Sequence, residues 1–216
     1  MRHNNSIRVM VAFLILACVM PLHAHADDIV IDEDVWVVLL AEPGNHLEKA
    51  HENFLKKDFR AAAAEMKKAA AYCRIEAKRA TDETRKGLVA SGKELEKLAD
   101  EVKSGSVDAV KVVNATFARA YHALGKHHYL KATESWTKKE AKHVGHALHA
   151  SASYVEKGFE SAGQKVDSGV HKTLDEARDL SGDLISGSGK LGEKVGSSIE
   201  ACGKQTELLG KRVSGK

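Results

Sequence analysis

The segment LEKAHENFLKKDFRAAAAEMKKA, residues 47–69, carries the pattern from which the rest of the chain can be interpreted. Its apolar residues first recur every three or four positions, as on one face of an α-helix, and then skip five between Phe54 and Phe59. Asp58 lies in that gap, and aspartate is favoured at the start of a helix. The spacing therefore predicts a hairpin of one helix over 45–56 and a second, long helix over 58–103, with Gly87 and Gly92 as candidate positions for a bend or break.

A similar pattern recurs 70 residues later. Nine pairs, from Leu47 with Phe117 to Ala80 with Ala150, match large apolar residues with large apolar residues and alanine with alanine. A duplication explains these matches, and the alternative is chance alignment of alanine-rich helices. The second copy predicts helices over 107–125 and 127–162, with Gly125 ending the first of them.

Each hairpin resembles the helical hairpin of tetratricopeptide repeats over some twenty residues. Asp58-Phe59, Ala62, Met66 and Ala69 lie where that family has its turn aromatic and its small packing residues. Those repeats recur about every 34 residues, whereas the second helix here runs past residue 100. An exported chain with two such hairpins also resembles the YfdX-type bacterial periplasmic proteins. That resemblance implies a stress-associated helical protein without established catalysis.

The composition supports a helical class. Only two of the 216 residues are proline, and an all-β protein with frequent turns would need more. An apolar content of 43% argues against disorder. We therefore predict an all-α fold: an antiparallel bundle of two duplicated αα-hairpins with long second helices and a Gly/Ser-rich amphipathic C-terminal tail.

The first 26 residues are typical of a secretory signal peptide. Arg2 and Arg8 precede twelve consecutive apolar residues, and Ala24-His25-Ala26 supplies a cleavage site. A membrane anchor is the alternative, but twelve helical residues span about 18 Å, whereas a bilayer core needs about 30 Å. A lipoprotein modified at Cys18 is a second alternative. We expect cleavage near Ala26 and a periplasmic or secreted protein.

Glycine content sets the C-terminal tail apart from the rest of the chain. Eleven of the seventeen glycines lie from Gly158 onward, so the tail is predicted to be only marginally helical alone. For this tail the alternatives are packing back along the bundle, partial disorder, or binding a membrane surface or partner as an amphipathic helix.

These patterns divide the chain into five segments: the signal peptide 1–26, a lead-in 27–43 ending at Pro43-Gly44, the first hairpin 44–105, the second hairpin 106–162 and the tail 163–216.

Charge and cysteine content bear on nucleic-acid binding and on disulfide formation. Without its leader the chain has 31 basic and 30 acidic residues, a balance that gives no support for nucleic-acid binding. Cys73 and Cys202 also remain, and in an oxidising compartment a disulfide between them is possible. The alternatives are two thiols too far apart to meet, or an intermolecular bridge.

Histidines form the one group of residues that suggests chemistry. His143, His146 and His149 recur at steps of three in the second hairpin, with Glu140 three residues before them. Neighbouring histidines on a helix can bind zinc, copper or nickel, or ligate a haem iron. The alternative is an ordinary solvated helix face. Tyr121, His122, His127 and His128 flank the turn predicted before that helix.

No catalytic motif or phosphate-binding loop is found in the sequence. We therefore predict a non-catalytic interaction or scaffold protein, with an envelope-stress or chaperone-like role and an unidentified protein partner. The first alternative is a metal- or haem-binding periplasmic protein, and the second is a lipid or surface binder acting through the tail. No cofactor is assigned, and the sequence does not predict the oligomeric state.

Overall fold

The protein is described by a computed structural model that covers residues 33–163 and 166–215. Every regular element within those ranges is an α-helix, which confirms the predicted all-α class. None of the described helices combines the length and apolar character needed to cross a membrane. The predicted leader lies outside the described residues. The helices are α1 (Glu33–Leu55), α2 (Phe59–Arg79), α3 (Asp82–Lys103), α4 (Val110–Thr137), α5 (Ala141–Ser161), α6 (Ser168–Ser186) and α7 (Glu193–Val213).

The turn between α1 and α2 lies where the spacing predicts it. Lys57 has a left-handed backbone with φ of 62°, and Asp58 Oδ1 accepts a hydrogen bond from the backbone N–H of Ala61 at 3.0 Å. Phe54 and Phe59 meet beside the turn, with ring centroids 5.4 Å apart. The two helices then pack along each other as the first hairpin.

The boundary predicted at Pro43-Gly44 is wrong, because both residues lie inside α1. Proline lacks an N–H and weakens the helix around it. In the preceding turn, the carbonyl of Leu40 accepts a hydrogen bond from the hydroxyl of Tyr154 on α5. Gly44 leaves room for that ring, since a Cβ there would lie 3.1 Å from Tyr154 Cε1. Pro43 and Gly44 thus occupy the part of α1 that contacts Tyr154.

The helix predicted over 58–103 is in fact two helices, α2 and α3. Ala80 and Thr81 separate them with extended backbones, at ψ of 149° and 160°. Arg85 bridges the break: its Nε donates a hydrogen bond to the carbonyl of Ala77 at 3.2 Å, and its Nη2 donates to that of Ala80 at 2.8 Å. The Ala77 carbonyl also accepts from the backbone N–H of Ala80 at 3.4 Å, so Arg85 adds a second donor there and supplies a donor to the Ala80 carbonyl at the end of α2.

α4 is continuous, so the turn predicted at Gly125 is also wrong. Gly125 instead allows close packing between α4 and α5. A Cβ there would lie 3.0 Å from Val155 Cγ2, and Ser151 Oγ donates a hydrogen bond to the Gly125 carbonyl at 2.9 Å. The second hairpin is therefore α4 with α5, and its turn lies at 138–140.

Turns of like conformation recur at an offset of 82 residues rather than 70. Lys139, in the turn between α4 and α5, has a φ of 62°, the value found at Lys57. Gly105 and Gly187, each in a Ser-Gly-Ser loop, have φ of 76° and 78°. An offset of 70 places the first turn on residues 126–128, inside α4. Alanine-rich helices match one another in several registers, so the matching side chains did not locate the turns.

The tail contains two helices, α6 and α7, separated by a loop that begins at Gly187. Its apolar residues, including Leu174, Ile199 and Leu209, are buried in a cluster with residues of α4 and α5. This arrangement corresponds to the first of the three alternatives for the tail. Binding to a surface through the same apolar residues would require these helices to separate from α4 and α5.

Two apolar clusters form the core, and both include residues of α4. The first joins α1, α2 and α3 to α4 as far as Leu124, with Ala150 and Tyr154 from α5. The second joins Ala132 of α4 to α5, α6 and α7. The segment of α4 between Leu124 and Ala132 therefore lies where the two clusters approach each other, and it contains buried polar side chains.

Candidate metal centre

Glu76, His127 and His128 form a buried polar cluster between α2 and α4. Their relative exposures are 2%, 2% and 1%. Among the described residues, these three make the group of histidine, cysteine or carboxylate side chains whose ligand atoms all lie within 4.8 Å of one another. Buried ionisable groups are uncommon unless they are paired or bind a ligand.

The helical register places these side chains in the core. On α2 the sequence Ala62, Met66, Ala69, Cys73, Glu76, Ala80 follows steps of four and three, so Glu76 occupies an apolar position. On α4, His128 continues the buried series of Phe117, Tyr121 and Leu124. The break between α2 and α3 supplies Thr84, which lies at the start of α3 and faces His127.

His127 contacts two polar side chains through its two ring nitrogens. Nε2 lies 3.1 Å from Glu76 Oε2, and Nδ1 lies 3.3 Å from Thr84 Oγ1. Two neighbouring ligand atoms on one metal ion, each about 2.0–2.2 Å from it, are about 3 Å apart. The Nε2–Oε2 spacing thus suits either a hydrogen bond or two adjacent ligands. Thr84 can hold the outer ring nitrogen, as partners of metal-binding histidines do.

His128 has no hydrogen-bond partner at either ring nitrogen, although the residue is almost fully buried. Its contacts are aromatic. The ring stacks on Tyr154 with centroids 5.5 Å apart, and the His127 ring meets its edge at 5.0 Å. A buried polar group without a partner costs on the order of 1–3 kcal/mol. His128 is therefore oriented by its neighbours while its nitrogens remain available as ligands.

The surroundings favour neutral imidazole and ionised carboxylate, the forms that bind metals. Burial and, to a smaller extent, the nearby His127 together lower the pKa of His128 to about 3. Burial alone raises the pKa of Glu76, but the hydrogen bond from His127 and the positive charge nearby outweigh it, so the pKa is lowered overall. Burial raises the pKa of the Tyr154 hydroxyl well above its usual range, so the tyrosine stays neutral.

Two imidazoles and one carboxylate suit first-row transition metals. Zn²⁺, Fe²⁺, Co²⁺, Ni²⁺ and Cu²⁺ accept nitrogen together with oxygen ligands, whereas Ca²⁺ and Mg²⁺ take mainly oxygen. Three protein ligands also leave at least one coordination position open. A divalent ion held by these three side chains would therefore have a coordination position for a further small ligand.

The metal ligands predicted from the sequence do not form a buried cluster like that of Glu76, His127 and His128. Glu140 and His143 do meet, with Oε2 and Nδ1 3.5 Å apart, but both side chains are about half exposed. His146 and His149 line a different feature, a largely apolar cavity of about 460 Å³ between α1, α5 and α6. That a metal binds Glu140, His143, His146 and His149 stays a prediction.

The two cysteines lie in different clusters, and both are free thiols in the structure. The structure thus does not contain the Cys73–Cys202 disulfide considered from the sequence. Cys202 Sγ lies 3.3 Å from Ser151 Oγ in the second cluster. Burial raises the pKa of Cys73 to about 12 and that of Cys202 to about 11, which makes both thiols unreactive.

Sequence reasoning missed Glu76 and placed His127 and His128 beside a turn. Two signals were present. Glu76 is a charged residue in an otherwise apolar helical series, and His127 and His128 fall in the buried register if α4 is continuous. The sequence separation of 51 positions between Glu76 and His127 follows no metal-binding spacing, so only the packing of α2 against α4 brings them together.

Comparison with known proteins adds no identification. No protein-family model matches the chain, and no curated protein or solved structure matches it. The resemblances to tetratricopeptide hairpins and to YfdX-type proteins therefore stay predictions.

Proposed function

We propose that this protein binds a divalent transition-metal ion through Glu76, His127 and His128. The observation that carries the proposal is His128: it is buried, neither ring nitrogen has a partner, and two further ligand groups lie beside it. A metal ion supplies the missing partner for His128 and lies next to the negative charge of Glu76. It also links α2 to α4.

This function belongs to the metal-binding class considered from the sequence, although other residues carry it. The exposed histidines of α5 lack the burial that excludes water from a site. The interaction or scaffold role, the periplasmic location and binding of surfaces through the tail stay predictions. Haem is a poorer fit than a single ion, because the three ligand groups converge on one another and the described cavity beside Tyr154 is lined by other histidines.

Metal titration of the full-length protein tests the proposal. After treatment with a chelator, the protein is titrated with Zn²⁺ by calorimetry and with Co²⁺ by visible spectroscopy. We expect one high-affinity ion per chain and a Co²⁺ spectrum with nitrogen and oxygen ligation.

Two sets of variants locate the ion. Glu76→Gln and His128→Leu should each weaken binding at least about tenfold, as expected when a metal ligand is lost. The matched control is His143→Ala with His146→Ala and His149→Ala, which removes the three histidines of α5 outside the cluster and should leave this binding unchanged. Circular dichroism confirms that each variant is helical. Binding that survives His128→Leu, or that disappears in the control, contradicts the proposal.

A further inference from the structure

Beside the candidate metal centre, Arg79 presents a buried donor without an acceptor. Its Nη1 is buried and makes no hydrogen bond, and it lies 3.7 Å from Glu76 Oε1, beyond hydrogen-bond range. The rest of the side chain is one-third exposed, so Arg79 extends from the cluster toward solvent. A guanidinium donates hydrogen bonds in a planar fork that suits carboxylates and other small anions.

The charges around the cluster leave a bound divalent ion undercompensated. Among the charged side chains close enough to influence His128 electrostatically, Glu76 is the one anion, while Arg79 and Lys131 are cations. Arg79 lies beside Glu76 and Lys131 pairs with Glu134, so these groups do not balance the two positive charges that a bound divalent ion would bring. Uncompensated buried charge is costly, so a ligand that brings negative charge is favoured.

Coordination leads to the same conclusion. Three protein ligands leave an open position on the ion, and in such sites water or another small ligand occupies it. Resting on the metal binding proposed above, we propose that the centre also takes a small monoanion as an additional ligand, bound to the metal ion and accepting a hydrogen bond from Arg79 Nη1. Hydroxide, bicarbonate and small carboxylates share this chemistry. Arg79 is the residue that makes the centre selective for an anion over neutral water.

Azide is a suitable probe, because this monoanion gives charge-transfer absorption when it binds Cu²⁺. The Cu²⁺-loaded full-length protein is titrated with azide, and bicarbonate, formate and chloride are then added as competitors to show which class of anion binds. We expect azide binding, with Arg79→Gln reducing its affinity about tenfold or more while Cu²⁺ affinity changes little. Arg74→Gln is the control, since Arg74 lies on the same helix but pairs with Glu96 at the surface.

The outcomes separate the two proposals. If Cu²⁺ binds but azide causes no spectral change, or binds equally well to Arg79→Gln, this inference fails and the metal site stands. Equal loss of azide in Arg74→Gln also overturns it, because the effect is then one of general charge. If neither Cu²⁺ nor Zn²⁺ binds to the cluster, both proposals fail together.

Discussion

His127 Nε2 lies 3.1 Å from Glu76 Oε2, although 51 residues separate them in the chain. If Nε2 carries the ring proton it donates to the carboxylate, and the Thr84 hydroxyl then donates to Nδ1. Metal binding through Nε2 requires the other tautomer, in which Nδ1–H donates to Thr84 Oγ1. Because a hydroxyl can both donate and accept, Thr84 serves either tautomer. The contact therefore allows His127 to change from a structural residue to a ligand without moving.

Replacing His128 with leucine should change stability in opposite directions with and without metal. In a chelator, His128→Leu should raise the free energy of unfolding by about 1–3 kcal/mol, because it removes a buried ring without hydrogen bonds. With Zn²⁺ at a hundred times its Kd, the wild type should gain about 2.7 kcal/mol and the variant little. Urea unfolding measures both. His122→Leu, on the same helix, is the control; a zinc response as large in His128→Leu as in the wild type would refute this explanation.

Thr84→Val should weaken metal binding without removing a ligand. Valine keeps the shape of threonine but leaves His127 Nδ1 without a partner, so we expect Zn²⁺ affinity to fall about 10- to 100-fold. The free energy of unfolding should fall by about 1 kcal/mol. Thr116→Val is the matched control, since that buried hydroxyl donates to the Val112 carbonyl of its own helix. Calorimetric titration would show equal affinities in all three proteins if Thr84 had no part in the site.

Replacing two helical glycines with alanine should change the stability of the protein in opposite directions. A Cβ at Gly145 would lie 2.9 Å from the Ser181 carbonyl oxygen, so Gly145→Ala forces α5 and α6 apart and should cost about 1–3 kcal/mol. Gly182, inside α6, has nothing within 4 Å of the same position, and Gly182→Ala should add about 0.5–1 kcal/mol through helix propensity. Thermal unfolding measures both changes. Equal shifts in the two variants would mean that α5 and α6 do not approach as described.

Cys73 and Cys202 should react only after unfolding. Because burial raises both pKa values, to about 12 and about 11, the native protein should resist alkylation at pH 8. In denaturant without reductant both should be alkylated, since neither is in a disulfide. Mass spectrometry of peptides distinguishes them from Cys18. A cross-linked peptide containing Cys73 and Cys202, or rapid alkylation of the native protein, would contradict this arrangement.

Glu134 should make the end of α4 sensitive to acid. Hydrogen bonds from Lys138 at 2.8 Å and Lys131 at 2.9 Å lower the pKa of Glu134 to about 2. A lowered pKa in the folded state contributes stability above the unfolded pKa of about 4.3 and loses it as the pH falls toward 2. Glu134 is 38% exposed, so solvent screening limits the contribution to about 1 kcal/mol.

The comparison of wild type with Glu134→Gln across pH tests this linkage. The difference in unfolding free energy should be largest near pH 7 and shrink as the pH falls from about 5 to about 2. Glu52→Gln, which removes a more exposed partner of Lys56, is the control and should have a smaller effect. A difference that does not change with pH would show that the two lysines do not stabilise the ionised form.

The turns show which structural features local sequence patterns can predict and which they cannot. The break after Phe54 and the capping residue Asp58 predicted the first turn, because a skipped helical step and a cap are local signals. The candidate positions for a break in the second helix were Gly87 and Gly92, but the break lies at Ala80. No glycine or proline marks that position, and Arg85 donates hydrogen bonds to the carbonyl groups there. At Gly125 the sequence predicted a turn where the helix is continuous. The glycine lacks a side chain because Val155 of another helix packs closely there, and a single sequence cannot distinguish that role from the end of a helix.

By itself the sequence determined the helical class and the position of the first turn, because helix formation, its periodicity and its capping depend on residues a few positions apart. Only the tertiary structure brought Glu76 to His127 and left His128 without a hydrogen bond, because contacts between distant helices depend on how their faces pack. Composition also marked the glycine-rich tail as marginally helical. Burial of Leu174 and Leu209 in the second apolar cluster gives α6 and α7 the stabilisation that their own helix propensity does not supply.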